Sequence, residues 1–497
     1  MGTRYYLAVD QDTTGTEVVL FDEKWNVAAR GNYDVPVLYP RIGWAERDPE
    51  EVWRSVLLAA ARALKVVGAD TGDIISVGVN HEGESVVIWD KNTGKPIYNA
   101  IVWQDRRTAR AADKLAINYD ELVRKKTGLM IDSYFCATKY QWILDHVEGA
   151  REKMQNNELL AGTMDTWILW RMTHGQAHVT DASTASRTML FNVGRGDWDD
   201  ELLELFGIRR SMLPRICDSA GVLCRTDPDS FLGICAPVSA VLMDQQAALA
   251  GLGCVEPGMV KITYGTGSFM MMNTGPTIIE SPHGLLSTVA WQLEGEKTFA
   301  VDGGAYITGG AVKWLKNTMG LCESVDETAR MADSVPDNGG VYFVPAFSGL
   351  AVPHWDSYAS GMMIGLSAGV KKEHIVRASL EATAYQVLDV LEVMIRDAGV
   401  KVNTIRCNGH PTRNPFLMQF QADILNMPLD IPQISCTTAF GAAFFSALGI
   451  GHFSSIRDIS EMWRPALRYE PNMSRDQRDY LVYNWHRAVE RAKYWVE

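Results

Sequence analysis

The chain has no stretch of about 18 consecutive apolar residues, so no segment is long enough to cross a bilayer as a helix. Its N-terminus also lacks a basic region followed by an apolar one, and the expectation is a cytoplasmic protein with no membrane partner. Cysteine is sparse and scattered, with eight residues at Cys136, Cys217, Cys224, Cys235, Cys254, Cys322, Cys407 and Cys436. They form no CxxC pair and no Cys/His zinc spacing, so they read as reduced, buried thiols. Positive charge is in deficit: Lys+Arg 47 against Asp+Glu 60 gives a net charge of −13, which argues against a nucleic-acid partner. Neither GxxxxGK[ST] nor HExxH occurs, which removes P-loop nucleotide hydrolases and zinc proteases. No low-complexity linker divides the chain.

What remains is an ordinary globular composition, 47% hydrophobic and 22% charged over 497 residues, long enough for about two to four domains. Short β-rich runs bounded by Gly, Asp or Asn predict strands over 5–10, 17–22 and 26–33. A helix follows over 49–67, with Asp48 as N-cap, Pro49 in the first turn and Glu51 as the acidic member of a capping box. Residues 74–80 read as a buried strand.

The second half repeats the theme. Strands are predicted over 259–263, 269–273, 341–344 and 404–407, and an amphipathic helix over 376–398. An internal duplication at the level of fold is therefore expected, with its boundary near 251–254 and a tight hinge and cleft between the halves.

Two turns occupy matching places in the halves. Asp10-Gln11-Asp12-Thr13-Thr14 ends the first strand, and Tyr264-Gly265-Thr266-Gly267-Ser268 ends its counterpart. A Gly-Thr-Gly turn lets backbone N–H groups approach phosphate oxygens closely. Asp244, in Met243-Asp244-Gln245-Gln246, is an acid just before a helix near the boundary. A carboxylate there could take the proton of an attacking hydroxyl, or could serve as a simple N-cap.

The longer blocks GWAERDPEEVW, TGKPIYNAIVWQDRRTA, WILDHVEGARE, GTMDTWILWRMT and VTDASTASRTMLFNV fill the first half. DQQAALAGLGCVEPGMVKITYGTGSFMMMNTG, VPAFSGLAVPHWD, NPFLMQFQADIL and TTAFGAAFFSALGIG follow in order to Gly451. Together these resemble the FGGY family of carbohydrate kinases, and within it the glycerol kinases, over nearly the whole chain. The resemblance implies an α/β fold of two actin-like (ribonuclease H-like) domains around a central cleft. Residues 1–252 would carry the polyol pocket and first phosphate turn, and 253–497 the nucleotide site.

It further implies an ATP- and Mg²⁺-dependent kinase that phosphorylates a primary hydroxyl of glycerol or a related small polyol, and a homo-oligomer. Asp244 would be the general base, and Asp10 would hold Mg²⁺, directly or through water. Thr13, Thr14, Gly265, Thr266 and Gly267 would surround the transferring phosphoryl group. Glu84, Trp103, Tyr134, Asp244, Gln245 and Phe269 would form the polyol pocket, and Gly309, Gly310 and Asn414 would meet the nucleotide.

Five positions depart from that pattern. Asp12 stands in place of a phosphate-turn glycine, Glu17 in place of a phosphate-contacting arginine, and His410 in place of the second glycine of a nucleotide-side pair. Ser360 replaces a further arginine. Gly83 replaces the arginine beside Glu84, which on sequence grounds leaves room for a longer polyol or a different triose. At an effective dielectric of about 20, a unit charge roughly 5 Å from another interacts by about 3 kcal/mol, so Asp12 and Glu17 work against phosphate. Two outcomes stand open: a working polyol kinase with an altered site, or a homologue that binds ligand but transfers phosphate weakly or not at all. His81, Glu82 and Glu84 also admit a metal-ligand reading, against the simpler one of a polar loop facing the polyol.

Overall fold

The computed structural model describes residues 3–496. In the first half, β1 (Tyr5–Gln11), β2 (Gly15–Asp22) and β3 (Val27–Asp34) form an antiparallel meander. Helix α1 (Pro49–Val67) leads to β4 (Ile74–His81), which pairs parallel to β1. Strand β5 (Ala220–Arg225) forms the far edge, antiparallel to β6 (Pro237–Met243), and β6 runs parallel to β4. The six-stranded order is β5-β6-β4-β1-β2-β3. Helix α2 (Asp244–Gly251) starts directly from the end of β6.

The second half repeats this arrangement. Strand β7 (Met259–Tyr264) pairs antiparallel with β8 (Ser268–Gly275), beyond which lie β10 (Glu296–Ala305) and, outermost, β9 (Leu286–Leu293). After helices α3 (Gly309–Asn317) and α4 (Lys372–Ala398), β11 (Thr404–Asn408) pairs parallel to β7 and β12 (Leu429–Pro432) parallel to β11. Strand β13 (Pro465–Tyr469) closes the seven-stranded order β9-β10-β8-β7-β11-β12-β13 as an antiparallel edge. Each sheet thus has a central strand, an antiparallel hairpin partner on one side, two parallel strands on the other and an antiparallel edge. This is the duplication the sequence implied, and the two candidate phosphate turns join β1 to β2 and β7 to β8.

Helix α5 (Thr437–Gly449) belongs to the second half of the chain, yet it is seated on the first sheet. Phe440 and Phe444 pack in one buried cluster with Tyr6, Ala8, Phe21 and Leu242. That cluster also holds Met259, Met271 and Trp291, so the two halves share apolar surface and do not hang on a linker. Burial of such aromatic side chains contributes roughly 1.5–3 kcal/mol each.

Several details differ from the sequence reading. Helix α4 starts four residues before the predicted 376, at Lys372, because the charged first turn lies outside the apolar stripe. The cap of α1 is Asp48 accepting from the Glu50 N–H at 2.9 Å, while Glu51 turns outward toward Arg54, so no capping box forms. All eight cysteines are free, six of them buried, with Cys224 half-buried and Cys235 exposed. No helix among the described residues is long and apolar enough to cross a membrane.

Candidate active site

The first turn is closed on itself. The Asp12 N–H donates to the Gly15 carbonyl at 2.8 Å. Asp12 Oδ1 then accepts from the Thr14 N–H at 2.6 Å, the Thr14 hydroxyl at 2.7 Å and the Gly15 N–H at 3.0 Å. This carboxylate occupies donors that the sequence reading assigned to a phosphate oxygen. Buried Arg47 supports the turn from behind, giving Nη1 to the Asp12 carbonyl at 3.0 Å and Nη2 to the Thr13 carbonyl. Glu17 does not present a bare charge, since Arg30 from β3 approaches it at 3.6 Å. The repulsion expected from Glu17 on sequence grounds is therefore partly neutralised within the sheet.

The second turn is built from backbone. The Gly265 N–H donates to the Gly267 carbonyl at 2.8 Å, and the Thr266 carbonyl accepts from the N–H groups of Thr308 and Gly310 at 2.9 Å each. Helix α3 thereby starts against the turn. A Cβ on Gly309 would lie 2.3 Å from the Gly265 carbonyl oxygen, so only glycine allows this approach. Asn414 is the N-cap of helix Pro415–Leu425, accepting from the Leu417 N–H at 3.0 Å and giving its amide to Thr328 at 3.1 Å. His410 opens a short 3₁₀ turn with its ring exposed, and the positive φ of 98° falls on Gly409 before it.

Trp103, Tyr134 and Phe269 line a cavity of about 240 Å³ that also touches Arg187, Asp302 and Trp355. The rings of Trp103 and Tyr134 meet edge to face at 5.9 Å. The indole N–H of Trp103 donates to the Thr13 hydroxyl at 3.1 Å, tying this wall to the first turn. Glu84 lies behind the wall, held by Arg187 Nε at 2.7 Å.

Asp244, the first residue of α2, accepts from the Gln245 N–H at 2.7 Å and the Gln245 amide at 2.9 Å. Buried Lys261 on β7 then donates to the Gln245 side-chain oxygen and to Thr263 Oγ1 at 3.0 Å. Of the predicted pocket residues, Trp103, Tyr134 and Phe269 line one cavity, whereas Glu84, Asp244 and Gln245 are not among its lining residues; the structure adds Arg47, Arg187, Lys261 and Asp302, which the sequence reading passed over. Arg187 and Lys261 sit inside the quoted blocks VTDASTASRTMLFNV and GMVKITYGTG, so being the lone cations in apolar or hydroxyl-rich runs was their available signal.

The room expected beside Gly83 is absent. A Cβ at Gly83 would lie 2.2 Å from Met243 Cε and 2.6 Å from its Sδ, so the thioether already fills the space an arginine stem would need. His81 is not poised as a metal ligand: it is buried, with Nδ1 at the Glu82 carbonyl and Nε2 at the Thr184 hydroxyl.

Negative charge accumulates here. Burial, then Asp12, then the carboxylates of Asp244 and Glu17 raise the pKa of Asp10 well above the usual range, against a hydrogen bond from Thr438 that lowers it. Burial also raises Asp244, while Gln245 and Lys261 pull it back. Glu84 is raised by burial against the pull of Arg187. Glu82 is pushed up to about 7 by burial, with Arg47 opposing, and its Oε2 has no partner. Lys261 is lowered to about 8 by burial, with Asp302 and Asp244 holding it up.

A carboxylate set whose members raise one another fits a divalent cation, which would relieve that repulsion. Among the described residues no group of three His, Cys, Asp or Glu side chains forms a cage. Mg²⁺ is usually held by one or two carboxylates together with substrate phosphates.

The chain matches the FGGY family of carbohydrate kinases, N-terminal domain, over residues 5–251 and the C-terminal domain of the same family over 260–450. It belongs to the FGGY family of carbohydrate kinases. Within this family it is 48% identical over 493 residues to glycerol kinase 2 of Thermotoga maritima, covering 99% of each chain. It is 47% identical over 496 residues to a glycerol kinase of Nitratidesulfovibrio vulgaris, covering 100% of each. The crystal structure of Plasmodium falciparum glycerol kinase with ADP superposes with a TM-score of 0.93 at 30% identity, covering 99% of this chain and 98% of that one. A xylulose kinase from Lactobacillus acidophilus, at 19% identity and a TM-score of 0.87, shares the fold. The paired sheets are thus the two actin-like domains of FGGY kinases.

Proposed function

We propose that this FGGY kinase transfers the γ-phosphoryl group of ATP to a primary hydroxyl of glycerol, giving glycerol phosphate and ADP. The observation that carries the reading is the buried Asp244–Gln245–Lys261 hydrogen-bonded cluster, in a molecule that also has an aromatic cavity lined by Trp103, Tyr134 and Phe269. The full-length likeness to glycerol kinases supports the choice of acceptor. Loss of catalysis has no comparable support, since Asp10, Thr13, Asp244 and the Gly-Thr-Gly turn are all retained.

The acceptor enters between Trp103, Tyr134 and Phe269, whose faces cover its carbon chain while Glu84 and Gln245 serve its hydroxyls. Asp244 takes the proton of the primary hydroxyl as that oxygen attacks phosphorus, and burial keeps the carboxylate basic enough for the task. Lys261 holds Gln245, and Gln245 in turn orients the Asp244 carboxylate by two hydrogen bonds. Thr13 and the 265–267 turn flank the phosphoryl group, and Gly309 lets α3 point its N-terminus at the nucleotide. Asp10 would hold Mg²⁺, which when bound neutralises charge on the nucleotide phosphates. Exclusion of water by the two halves would keep ATP from hydrolysis.

ADP formation from MgATP, measured with and without glycerol, tests the reading. Glycerol-dependent ADP release is expected. A folded protein that releases none with glycerol or other small polyols would overturn it.

A further inference from the structure

Arg187 is 2% exposed, and its contacts cross from one half of the molecule to the other. Nε donates to Glu84 Oε1 at 2.7 Å, and Nη1 stands 3.2 Å from Asp302 Oδ2. Glu84 follows β4 of the first sheet, whereas Asp302 lies on β10 of the second. The guanidinium also rests over the rings of Phe135 at 5.2 Å and Tyr134 at 5.8 Å, which fixes its plane. Burial alone would lower its pKa, but Glu84 and Asp302 more than offset this and keep it charged.

Only Nε is spent on a hydrogen bond. Nη1 has no acceptor in hydrogen-bond geometry, because its approach to Asp302 has ion-pair distance without alignment. Arg187 and Asp302 line the same cavity as Trp103, Tyr134 and Phe269. A buried N–H of a charged group without an acceptor is costly, and an oxygen of a bound ligand would satisfy it.

We infer that Arg187 is an acceptor-binding residue that donates from Nη1 to a hydroxyl oxygen of the polyol, and that Asp302 makes this contact a tie between the two halves. The inference rests on the polyol-kinase reading above. Lysine cannot replace arginine here, because one ammonium on a flexible stem cannot serve Glu84 and the acceptor in a fixed fork. Glu84 and Asp302 then act as the two anchors that aim the fork.

The test is calorimetric binding of glycerol, propane-1,2-diol and propane-1,3-diol to wild type, Arg187→Lys and Asp302→Asn, with steady-state KM values for glycerol and MgATP. For Arg187→Lys, Kd and KM for glycerol should rise at least tenfold while KM for MgATP stays within twofold. One of the two deoxy analogues, the one lacking the contacted hydroxyl, should bind variant and wild type alike. A folded Arg187→Lys protein with glycerol Kd within twofold of wild type overturns the inference, as does an equal loss for glycerol and both analogues. Should that variant not fold, Asp302→Asn carries the test: a several-fold weaker glycerol Kd supports the tie, and an unchanged one overturns it. Wild type that neither binds nor phosphorylates glycerol overturns the function reading itself, a failure visible before any variant is made.

Discussion

The indole N–H of Trp103 donates to the hydroxyl of Thr13 at 3.1 Å, so the wall of the proposed acceptor pocket and the proposed first phosphate turn share a hydrogen bond. Trp103→Phe keeps an aromatic face but removes the donor. A neutral hydrogen bond contributes about 0.5–1.5 kcal/mol, so kcat should fall roughly three- to tenfold, with a smaller change in KM for glycerol. Rapid-quench measurement of ADP formation would read this, and an unchanged kcat would mean that Thr13 needs no positioning.

Asp12 holds its own turn shut. Asp12→Gly releases the N–H groups of Thr14 and Gly15 and the Thr14 hydroxyl, and it removes a negative charge that, after burial, helps raise the Asp10 pKa. Tighter nucleotide binding should follow, with KM for MgATP lower by about tenfold, equivalent to ~1.4 kcal/mol. The same change should cost on the order of 1 kcal/mol of stability through the lost turn bonds. Weaker MgATP binding in the variant would show that the carboxylate helps the nucleotide complex instead.

Gly83 and Met243 form a packed pair, so restoring an arginine at 83 alone should not restore a glycerol contact. Gly83→Arg is expected to destabilise by about 1–3 kcal/mol through overpacking. Adding Met243→Ala should recover most of that loss in a denaturant melt and lower KM for glycerol. A single variant as stable as wild type would contradict the contact.

Glu82 titrates in the protein near neutrality. Its folded pKa of about 7 lies above the unfolded value of 4.5, so its penalty is absent below pH 4.5 and grows as pH rises toward 7. Glu82→Gln keeps an oxygen for Arg47 and Ser85 but cannot ionise. Whatever the offset at low pH, the variant should gain on wild type between pH 4.5 and 7, by on the order of 3 kcal/mol. Denaturant midpoints at pH 4.5, 6, 7 and 8 would show it, and parallel curves would contradict a raised Glu82.

Much of the fold was legible because its elements announce themselves locally. The strands around residues 5–33 and 259–273 alternate between polar turns, and α1 carries both a cap and an apolar stripe. The pairing of the Asp10–Thr14 and Gly265–Gly267 turns could be read from their matching places in two similar halves. The contacts that decide chemistry were not legible, because they join residues far apart in the chain. Arg30 neutralises Glu17 across a strand pair, Met243 fills the space of Gly83 from the end of β6, and Arg187 meets Asp302 over 115 positions. A substitution read singly, such as Gly83 for arginine, suggested an empty space that the neighbouring side chain in fact occupies. Ser360 lies outside the contacts that build the site, and nothing in the structure explains its substitution.

The central claim is that Asp244 is the base, oriented by Gln245 and reached by the acceptor's primary hydroxyl. Asp244→Asn retains the shape of the side chain and one accepting oxygen but cannot take a proton. The most direct measurement is glycerol-dependent ADP formation by this variant, paired with calorimetric glycerol binding. A loss of at least about 10³-fold in kcat, with glycerol Kd within a few-fold of wild type, is the expected result. Turnover within tenfold of wild type would contradict the assignment.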